Sequence, residues 1–161
     1  MVDPEVLIYL FNTNASALHR QLAGLTHEES LLQLPFRGNC LNWVLGHIVE
    51  SRAELMSLIG IEPIWAEERW AQYGQGSEPI MAENSATAVD FASMLRDYDS
   101  AQEQIAAWLH TKTLADMNAP SDRPDRSWGQ RISFFAWHEG YHVGQTEQLR
   151  QLAGRNDRVI G

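Results

Sequence analysis

Residues 129–153 read GQRISFFAWHEGYHVGQTEQLRQLA, a proline-free stretch that Gly154 follows directly. Its apolar side chains recur at helical spacing, so the stretch predicts one long helix that ends at the glycine. On a helical wheel the apolar stripe is centred on His138, and His142 and Gln145 lie one and two turns further along the same face. We therefore expect three polar side chains on the face that must be buried, where each needs a partner.

Three other long helices are predicted before this one. Residues 3–5 (Asp-Pro-Glu) are typical of a helix start, with an N-cap, a proline at the first helical position and an acid in the first turn. Apolar residues spaced by three and four then define a helix that Gly60 ends and another that Asn84 or Ser85 caps. The ranges of predicted helices one to four are 4–23, 40–59, 85–110 and 129–153.

The connections between these helices differ in length and composition. Thr26 and Glu29 form a capping-box pattern for a short helical piece that Pro35 ends. Residues 61–83 form a connection of about 23 residues, which is uncommonly long for a compact domain. Residues 118–128 hold two prolines and alternating Asp and Arg, so we expect a loop there.

The chain contains helical patterns and no pattern typical of strands. No segment of useful length alternates between apolar and polar residues, and no internal repeat is visible. Four long amphipathic helices in 161 residues therefore predict an all-α fold, a helical bundle that forms a single domain over residues 1–161.

The composition is that of a globular protein with an excess of negative charge. Hydrophobic residues make up 44% and charged residues 20%, which excludes a largely disordered chain. Twelve Lys and Arg against 21 Asp and Glu give a net charge of -9, and the basic residues do not cluster, so we expect no nucleic-acid binding. The lone Cys40 excludes an internal disulfide. Because neither a basic leader nor an apolar run of about 18 residues is present, we expect a cytoplasmic protein without membrane binding.

His138 and His142 are spaced so that both imidazoles can reach one cation. Histidines at i and i+4 share a helical face, and this spacing suits zinc–nitrogen bonds of about 2.0–2.1 Å. Ordinary hydrogen bonds in the core are the alternative interpretation. A third ligand is available in His47, which borders the apolar stripe midway along predicted helix two. The remaining histidines lie off the stripes or at helix ends and are interpreted as surface residues: His19, His27 and His110.

Two segments carry a resemblance to a known family. Residues 43–48, WVLGHI, lie on predicted helix two. Residues 138–145, HEGYHVGQ, lie on predicted helix four and precede Leu149, Arg150 and Gly154. Together with the helix layout, these segments resemble the DinB-like (YfiT-like) superfamily of metal-binding four-helix bundles.

The resemblance implies a metal site and a topology. Its histidine triad corresponds to His47, His138 and His142, which would hold one divalent ion with solvent in the open positions. It also implies an up-down-down-up four-helix bundle, in which a long crossover joins helices two and three. Residues 61–83 lie where that crossover should be. Many members of the family pair, so we also expect a homodimer.

Residues 138–142, HEGYH, also match the HExxH pattern of zinc metalloproteases, whose Glu is a general base. Such a site needs a third ligand downstream, and no histidine follows His142. The extended pattern HExxHxxGxxH fails as well, since Gln occupies positions 145 and 148. The protease interpretation is therefore disfavoured.

The expected metal site has an open face, as in catalytic rather than structural sites. A divalent ion there can lower the pKa of a thiol so that it attacks an electrophile, or the pKa of a water molecule for hydrolysis. The resemblance favours the first, because characterised branches of the family include S-transferases that use small thiols such as bacillithiol or mycothiol. We therefore expect a metal-dependent thiol S-transferase acting on a small electrophile, with a metal-dependent hydrolase or a non-catalytic metal-binding stress-response bundle as alternatives. Zinc, nickel and ferrous iron all suit three imidazoles.

Two polar residues near the histidine pair are candidate catalytic residues. Gln145 is a candidate to position the ion's water or an incoming ligand, and a buried hydrogen bond to Asn14 is its alternative role. Glu139 is a candidate base, although an exposed helix acid is the favoured interpretation. Arg52 lies within the apolar stripe of predicted helix two, so we expect it to pair with a carboxylate or to bind an anionic group of a substrate.

Other side chains near the predicted site have structural interpretations. Glu50 and Glu54 border the stripe of predicted helix two and either orient the histidine there or are solvated, with solvation favoured for Glu54. Cys40 is expected to be a buried apolar residue rather than a ligand. Trp128 and Trp137 are expected to be packing residues.

The long connection carries three large aromatic residues, and residues 65–72 predict a short helix within it. Trp65, Trp70 and Tyr73 either cap the site and define a substrate pocket, or cover the bundle end or a dimer contact.

Overall fold

The computed structural model describes residues 1–159, whose regular structure is helical apart from one isolated bridge between Pro120 and Ser127. The predicted all-α class is therefore confirmed for the described chain. Four long helices make up most of it, and short helical segments connect them. The elements are α1 (Pro4–Leu22), α2 (His27–Ser30), α3 (Leu41–Leu58), α4 (Glu67–Tyr73), a 3-10 helix (Ala82–Thr87), α5 (Phe91–His110), α6 (Leu114–Asn118) and α7 (Trp128–Leu152).

The four long helices form a ring in which α1 lies beside α5 and α7, and α3 lies beside the same two helices. Asn14, in the middle of α1, donates a hydrogen bond to the Ala136 carbonyl in the first half of α7. Arg150, near the end of α7, donates to the Gln21 carbonyl near the end of α1. α1 and α7 are therefore parallel.

α3 runs in the opposite direction to α7. His47, in the first half of α3, packs against His142 in the second half of α7, with ring centroids 4.7 Å apart. Glu54, near the end of α3, has its carboxylate 3.5 Å from the guanidinium of Arg131 at the start of α7. The two helices that carry the predicted metal ligands are thus antiparallel neighbours.

α3 and α5 run in the same direction. Asn42, at the start of α3, donates to the carbonyl of Val89, just before α5 begins. Arg52, further along α3, donates to the carbonyl of Tyr98, further along α5. The chain must therefore return along the bundle between these helices, and the residues between Leu58 and Phe91 form this crossover. The up-down-down-up order that the resemblance implies is confirmed.

The apolar core consists of two clusters at the two ends of the bundle. The cluster at the end where α3 begins includes Trp43, Leu45, Tyr73, Phe91 and Leu149. The cluster at the opposite end includes Leu7, Phe11, Met56, Ile105 and Ile132. Arg52 lies on α3 between the members of the two clusters, so polar residues occupy the middle of the bundle.

The buried face of α7 differs from the predicted one. The apolar residues alone predict a stripe centred on His138. Two members of that stripe, Phe134 and Leu152, are partly exposed in the structure. Polar side chains contribute to the buried face, and its centre is Glu139. The buried residues of α7 are Gly129, Arg131, Ile132, Phe135, Ala136, Glu139, Val143, Thr146, Leu149 and Arg150. His138 therefore borders this face and is half-buried. Trp137 packs at the surface, against Phe134 and Tyr141, and its side chain is 63% exposed.

α5 begins later than predicted. Its N-cap is Asp90, whose carboxylate accepts from the Ser93 amide, instead of Asn84 or Ser85. The helix does not extend further back because two side chains hold the backbone of Val89. Its amide donates to the Tyr73 hydroxyl, and its carbonyl accepts from the side-chain amide of Asn42 on α3. Residues 85–87, which were expected to open the helix, form the end of the 3-10 segment instead.

Two short helices were predicted and a third was not. The capping box of Thr26 and Glu29 is present, although α2 ends at Ser30, well before Pro35. α4 confirms the short helix expected in the crossover. α6 was missed, and the overlooked signal was the capping box of Thr113 and Asp116. Among the described residues, no helix combines the length and apolar character needed to cross a membrane.

Candidate metal centre

Three histidines from two antiparallel helices meet near the middle of the bundle. α3 supplies His47, and α7 supplies His138 and His142 from successive turns. Each residue offers one ring nitrogen, and these atoms all lie within 4.8 Å of one another. These three side chains, which all belong to the described part of the chain, form a group that could hold a metal ion. The structure thus brings the three sequence-predicted ligands together.

The crossover orients His47. Its Nδ1 lies 2.8 Å from the carbonyl oxygen of Tyr73 and 3.2 Å from a carboxylate oxygen of Glu50. Its ring also stacks on the indole of Trp43, with centroids 5.0 Å apart. A proton on Nδ1 directed at these oxygens leaves Nε2 free for a ligand, which is the usual way in which an outer group fixes the tautomer of a ligating histidine.

The tight approach of the crossover depends on a helical glycine. A side-chain carbon at Gly46 would lie 2.1 Å from the Tyr73 ring, which no packed structure tolerates. Burial raises the pKa of Tyr73 to about 12, so its hydroxyl stays protonated and donates to Asn42. The sequence reasoning missed the role of the Tyr73 carbonyl, and a glycine beside His47 in mid-helix was the available signal.

The two histidines of α7 are also held at Nδ1. His142 Nδ1 lies 2.7 Å from Oε1 of Gln145, and His138 Nδ1 lies 3.3 Å from the Ser51 hydroxyl. The alternative bond from Gln145 to Asn14 is wrong, because Asn14 bonds the α7 backbone instead. Ser51 was not predicted; its position one turn after His47 was the signal.

The Nε2 atoms of His138 and His142 face each other at 3.1 Å. Burial lowers the pKa of His142 to about 4 and also lowers that of His138, and neighbouring His47 adds to both shifts. Both rings are therefore neutral at pH 7, the form that binds metals. A hydrogen bond between the two nitrogens satisfies them when the Ser51 hydroxyl donates to His138; otherwise two lone pairs meet, and a cation relieves them. The donor set thus fits one divalent ion.

Glu139 does not have the exposed position favoured from the sequence. Its side chain is 3% exposed and lies against Arg52, whose Nε and Nη2 donate to the two carboxylate oxygens at 2.6 and 3.0 Å. The Tyr98 hydroxyl donates to the same carboxylate at 3.2 Å. Burial alone would lower the pKa of Arg52, yet the charge of Glu139 raises it, while burial raises the pKa of Tyr98. The carboxylate partner expected for Arg52 is therefore Glu139.

The other residues singled out in the sequence have structural positions. Cys40 is buried, and burial raises its thiol pKa. Glu54 is about half exposed. Trp65 is buried and donates to Asp97. The aromatic residues of the crossover pack in the core cluster at the α3 start: Trp65, Trp70 and Tyr73.

The histidines form one wall of an open pocket of about 610 Å³, which is within the usual range for small-molecule sites. The walls come from α3, α7, the segment after α2 and the crossover loop around Gln75. The lining side chains include Trp43, Phe134, Tyr141, Gln145 and Gln148. The lining from the segment after α2 was not predicted, and that segment carries no periodic pattern that would indicate it.

The fold and the site define a helical bundle with an accessible histidine cluster. The chain belongs to the DinB superfamily, whose family model matches residues 10–146. The crystal structure of the conserved protein of locus from Enterococcus faecalis is similar, with a TM-score of 0.72 and 13% identity. That match covers 95% of this chain and 98% of the other, and at this identity it shows the fold alone. No curated protein matches the chain significantly.

Proposed function

We propose that the protein is a metal-dependent enzyme that transfers a small thiol to an electrophile, with one divalent ion held by His47, His138 and His142. The observation that carries the proposal is the convergence of these imidazoles on the wall of an open pocket of about 610 Å³. A structural site would instead be closed by a fourth protein ligand. Zinc, nickel or ferrous iron fits three neutral nitrogen donors.

The chemistry that the ion supplies when bound is a lowered thiol pKa, which makes a thiolate available at neutral pH. The chain's own residues position the ligating histidines and the two substrates. The Tyr73 carbonyl and Gln145 fix the orientation of His47 and His142. The pocket walls bring the thiol and the electrophile together, which raises their effective concentration. A carbon–sulfur bond forms as the bond to the leaving group breaks, and the thiol proton and the leaving group depart through the pocket mouth.

Glu139 is not part of the proposed mechanism. Both of its carboxylate oxygens accept hydrogen bonds from Arg52, so a proton taken up there would break a buried ion pair. Gln145 has the role of orienting His142 rather than of transferring a proton, because an amide does not titrate.

The test combines metal analysis with an assay of thiol consumption. We expect the purified protein to carry about one divalent ion per chain and to consume small thiols with a bimane-type electrophile. The double variant His47→Ala, His142→Ala should lose both properties. The matched control is His19→Ala, His110→Ala, which removes two exposed histidines and should keep both.

Three results would contradict the proposal. Wild-type turnover no faster than that of the double variant would exclude a role for the histidines. Turnover of esters or amides without added thiol would indicate a hydrolase. Bound metal without turnover of any substrate would indicate a non-catalytic metal-binding bundle.

A further inference from the structure

We infer that the pocket beside the histidines selects an uncharged aromatic electrophile and disfavours substrates that carry carboxylate, sulfonate or phosphate groups. This inference rests on the proposed function and extends it from a reaction type to a substrate class. Three features of the pocket support it: the aromatic walls, the absence of charge in the lining and the field of the whole chain.

Aromatic side chains cover the pocket from the histidines to its mouth. Trp43 stacks on His47 with an interplanar angle of 22°, and Phe134 stacks on His138 at 16°. Tyr141, which is 58% exposed, also lines the pocket. A ligand whose reacting atom lies at the histidines therefore has these rings beside its remaining part. Aromatic ligands gain most from such contacts, by stacking and by removing exposed apolar surface from water.

The polar groups of the lining are neutral. They are amides and glycines beside the histidines, and among the lining residues in the described chain there is no Lys, Arg, Asp or Glu. The amide side chains are Asn39, Gln75, Gln145 and Gln148. Amides donate and accept hydrogen bonds but do not compensate the charge of an anion, so they suit hydroxyl, carbonyl or amide groups of a neutral ligand.

A cation that adjoins the lining is already paired. Arg37 lies between the lining residues Phe36 and Gly38, and its guanidinium forms an ion pair with Glu78 of the crossover. The chain as a whole carries a net charge of -9. An anionic group held against the walls away from the histidines would thus lose its hydration without gaining a cation from the chain, in a field that repels it.

The test compares two ligands that share a ring system and differ in charge. 1-Naphthamide is neutral, and naphthalene-1-sulfonate is an anion that coordinates metal ions poorly. Isothermal titration of the full chain, as purified, should give a dissociation constant for naphthamide that is at least about tenfold lower than for the sulfonate. The same preference should hold after the metal is removed with a chelator, because it originates in the walls. Equal affinities, or a preference for the sulfonate, would overturn the inference.

Two matched pairs of variants locate the preference in the pocket. Gln148→Lys adds a cation to the lining and should tighten sulfonate binding about fivefold, whereas Gln151→Lys, an exposed residue outside the lining, should change it less than about twofold. Tyr141→Ala should weaken naphthamide binding at least about threefold, whereas Trp137→Ala, one turn away and outside the lining, should not. Equal effects within either pair would overturn the inference.

Binding and turnover separate this inference from the proposed function. A protein that prefers naphthamide but transfers no thiol would contradict the proposed reaction and support the neutral aromatic ligand class. A protein that transfers thiols faster to carboxylate-bearing electrophiles than to neutral ones of the same ring system would support the reaction and overturn the inference about substrate class.

Discussion

Adjacent residues of α7 belong to two polar clusters with opposite properties. Glu139 lies in the ion-pair cluster with Arg52 and Tyr98, and His138 lies in the histidine cluster with His47 and His142. In the ion-pair cluster the two carboxylate oxygens are bonded within the chain and the charged side chains are 2–3% exposed. In the histidine cluster the Nδ1 atoms have partners outside the cluster, while the Nε2 atoms of His138 and His142 face each other beside an open pocket.

The difference shows how to distinguish a structural polar cluster from a binding site. A buried group needs a partner, and a cluster that supplies all of its own partners has nothing left to bind. A cluster whose outer atoms are fixed and whose inner atoms face each other is preorganised for a ligand. The two clusters therefore predict different responses to mutation: loss of folding stability for the first and loss of binding for the second.

The largest expected effect is on the ion-pair cluster. Glu139→Ala should lower the free energy of unfolding by about 3–5 kcal/mol, because the charge of Arg52 would remain buried without its partner. Urea denaturation measures this. Glu54→Ala removes a half-exposed acid from the neighbouring helix and should cost less than about 1 kcal/mol.

A double variant tests whether the loss of stability comes from the unpaired charge of Arg52 rather than from the loss of the Glu139 side chain itself. The double change Arg52→Met, Glu139→Leu removes both charges, so it should be more stable than Glu139→Ala alone. The ion pair does not have the structural role assigned to it if Glu139→Ala has the same free energy of unfolding as the wild type. The same conclusion follows if the double variant is less stable than Glu139→Ala.

In the histidine cluster, mutation should abolish the stabilisation by bound metal and change the stability of the metal-free protein only slightly. In wild-type protein, Zn²⁺ at about 100 times its dissociation constant should add about 2.7 kcal/mol to the free energy of unfolding. His142→Ala should abolish this gain while changing the metal-free protein by less than about 1 kcal/mol, since the ring is only partly buried. His19→Ala should keep the gain. A gain of equal size in His142→Ala would show that zinc binds elsewhere.

A smaller effect is expected where the crossover packs on α3. Gly46→Ala places a methyl group against the Tyr73 ring and should cost about 1–3 kcal/mol in stability. Because the Tyr73 carbonyl then moves away from His47, zinc affinity should fall about tenfold.

Gly144→Ala is the matched control for this change, because the position is helical and has no atom within 4 Å of the added carbon. Its stability should rise by up to about 1 kcal/mol, as for any exposed helical glycine. Stability losses of the same size in both variants would argue against the close approach of the crossover.

Much of the fold and the histidine cluster could be predicted from the sequence. Helical periodicity and end signals such as Asp3 and Gly24 gave the four long helices, because these signals are local. The helix order came from the resemblance, and the three histidines were selected by spacing and by position on their helices. His47 and the α7 pair then meet because α3 and α7 are antiparallel neighbours.

The ion-pair cluster could not be predicted in the same way. A wheel that counts apolar residues treats Glu139 and Arg150 as outward-facing, although both are buried. Their burial is possible only because partners elsewhere in the chain satisfy them, and the partner of a charged residue is not encoded in its own helix. The Tyr73 carbonyl was hidden for a related reason, because a backbone oxygen has no side-chain signature and Gly46 indicates only that another segment approaches α3 closely.

A further effect is expected in the histidine cluster without metal, where acid should weaken the fold gradually. Burial lowers the pKa of His142 from its ordinary value of 6.5 to about 4. Between these two pH values the unfolded chain binds a proton at this residue and the folded chain does not. Unfolding therefore takes up protons, and stability falls as the pH decreases from 6.5 towards 4. Urea denaturation of chelated protein across this range should show a shallower decline for His142→Gln than for the wild type. Parallel declines for the two proteins would mean that the imidazole is not desolvated as the cluster requires.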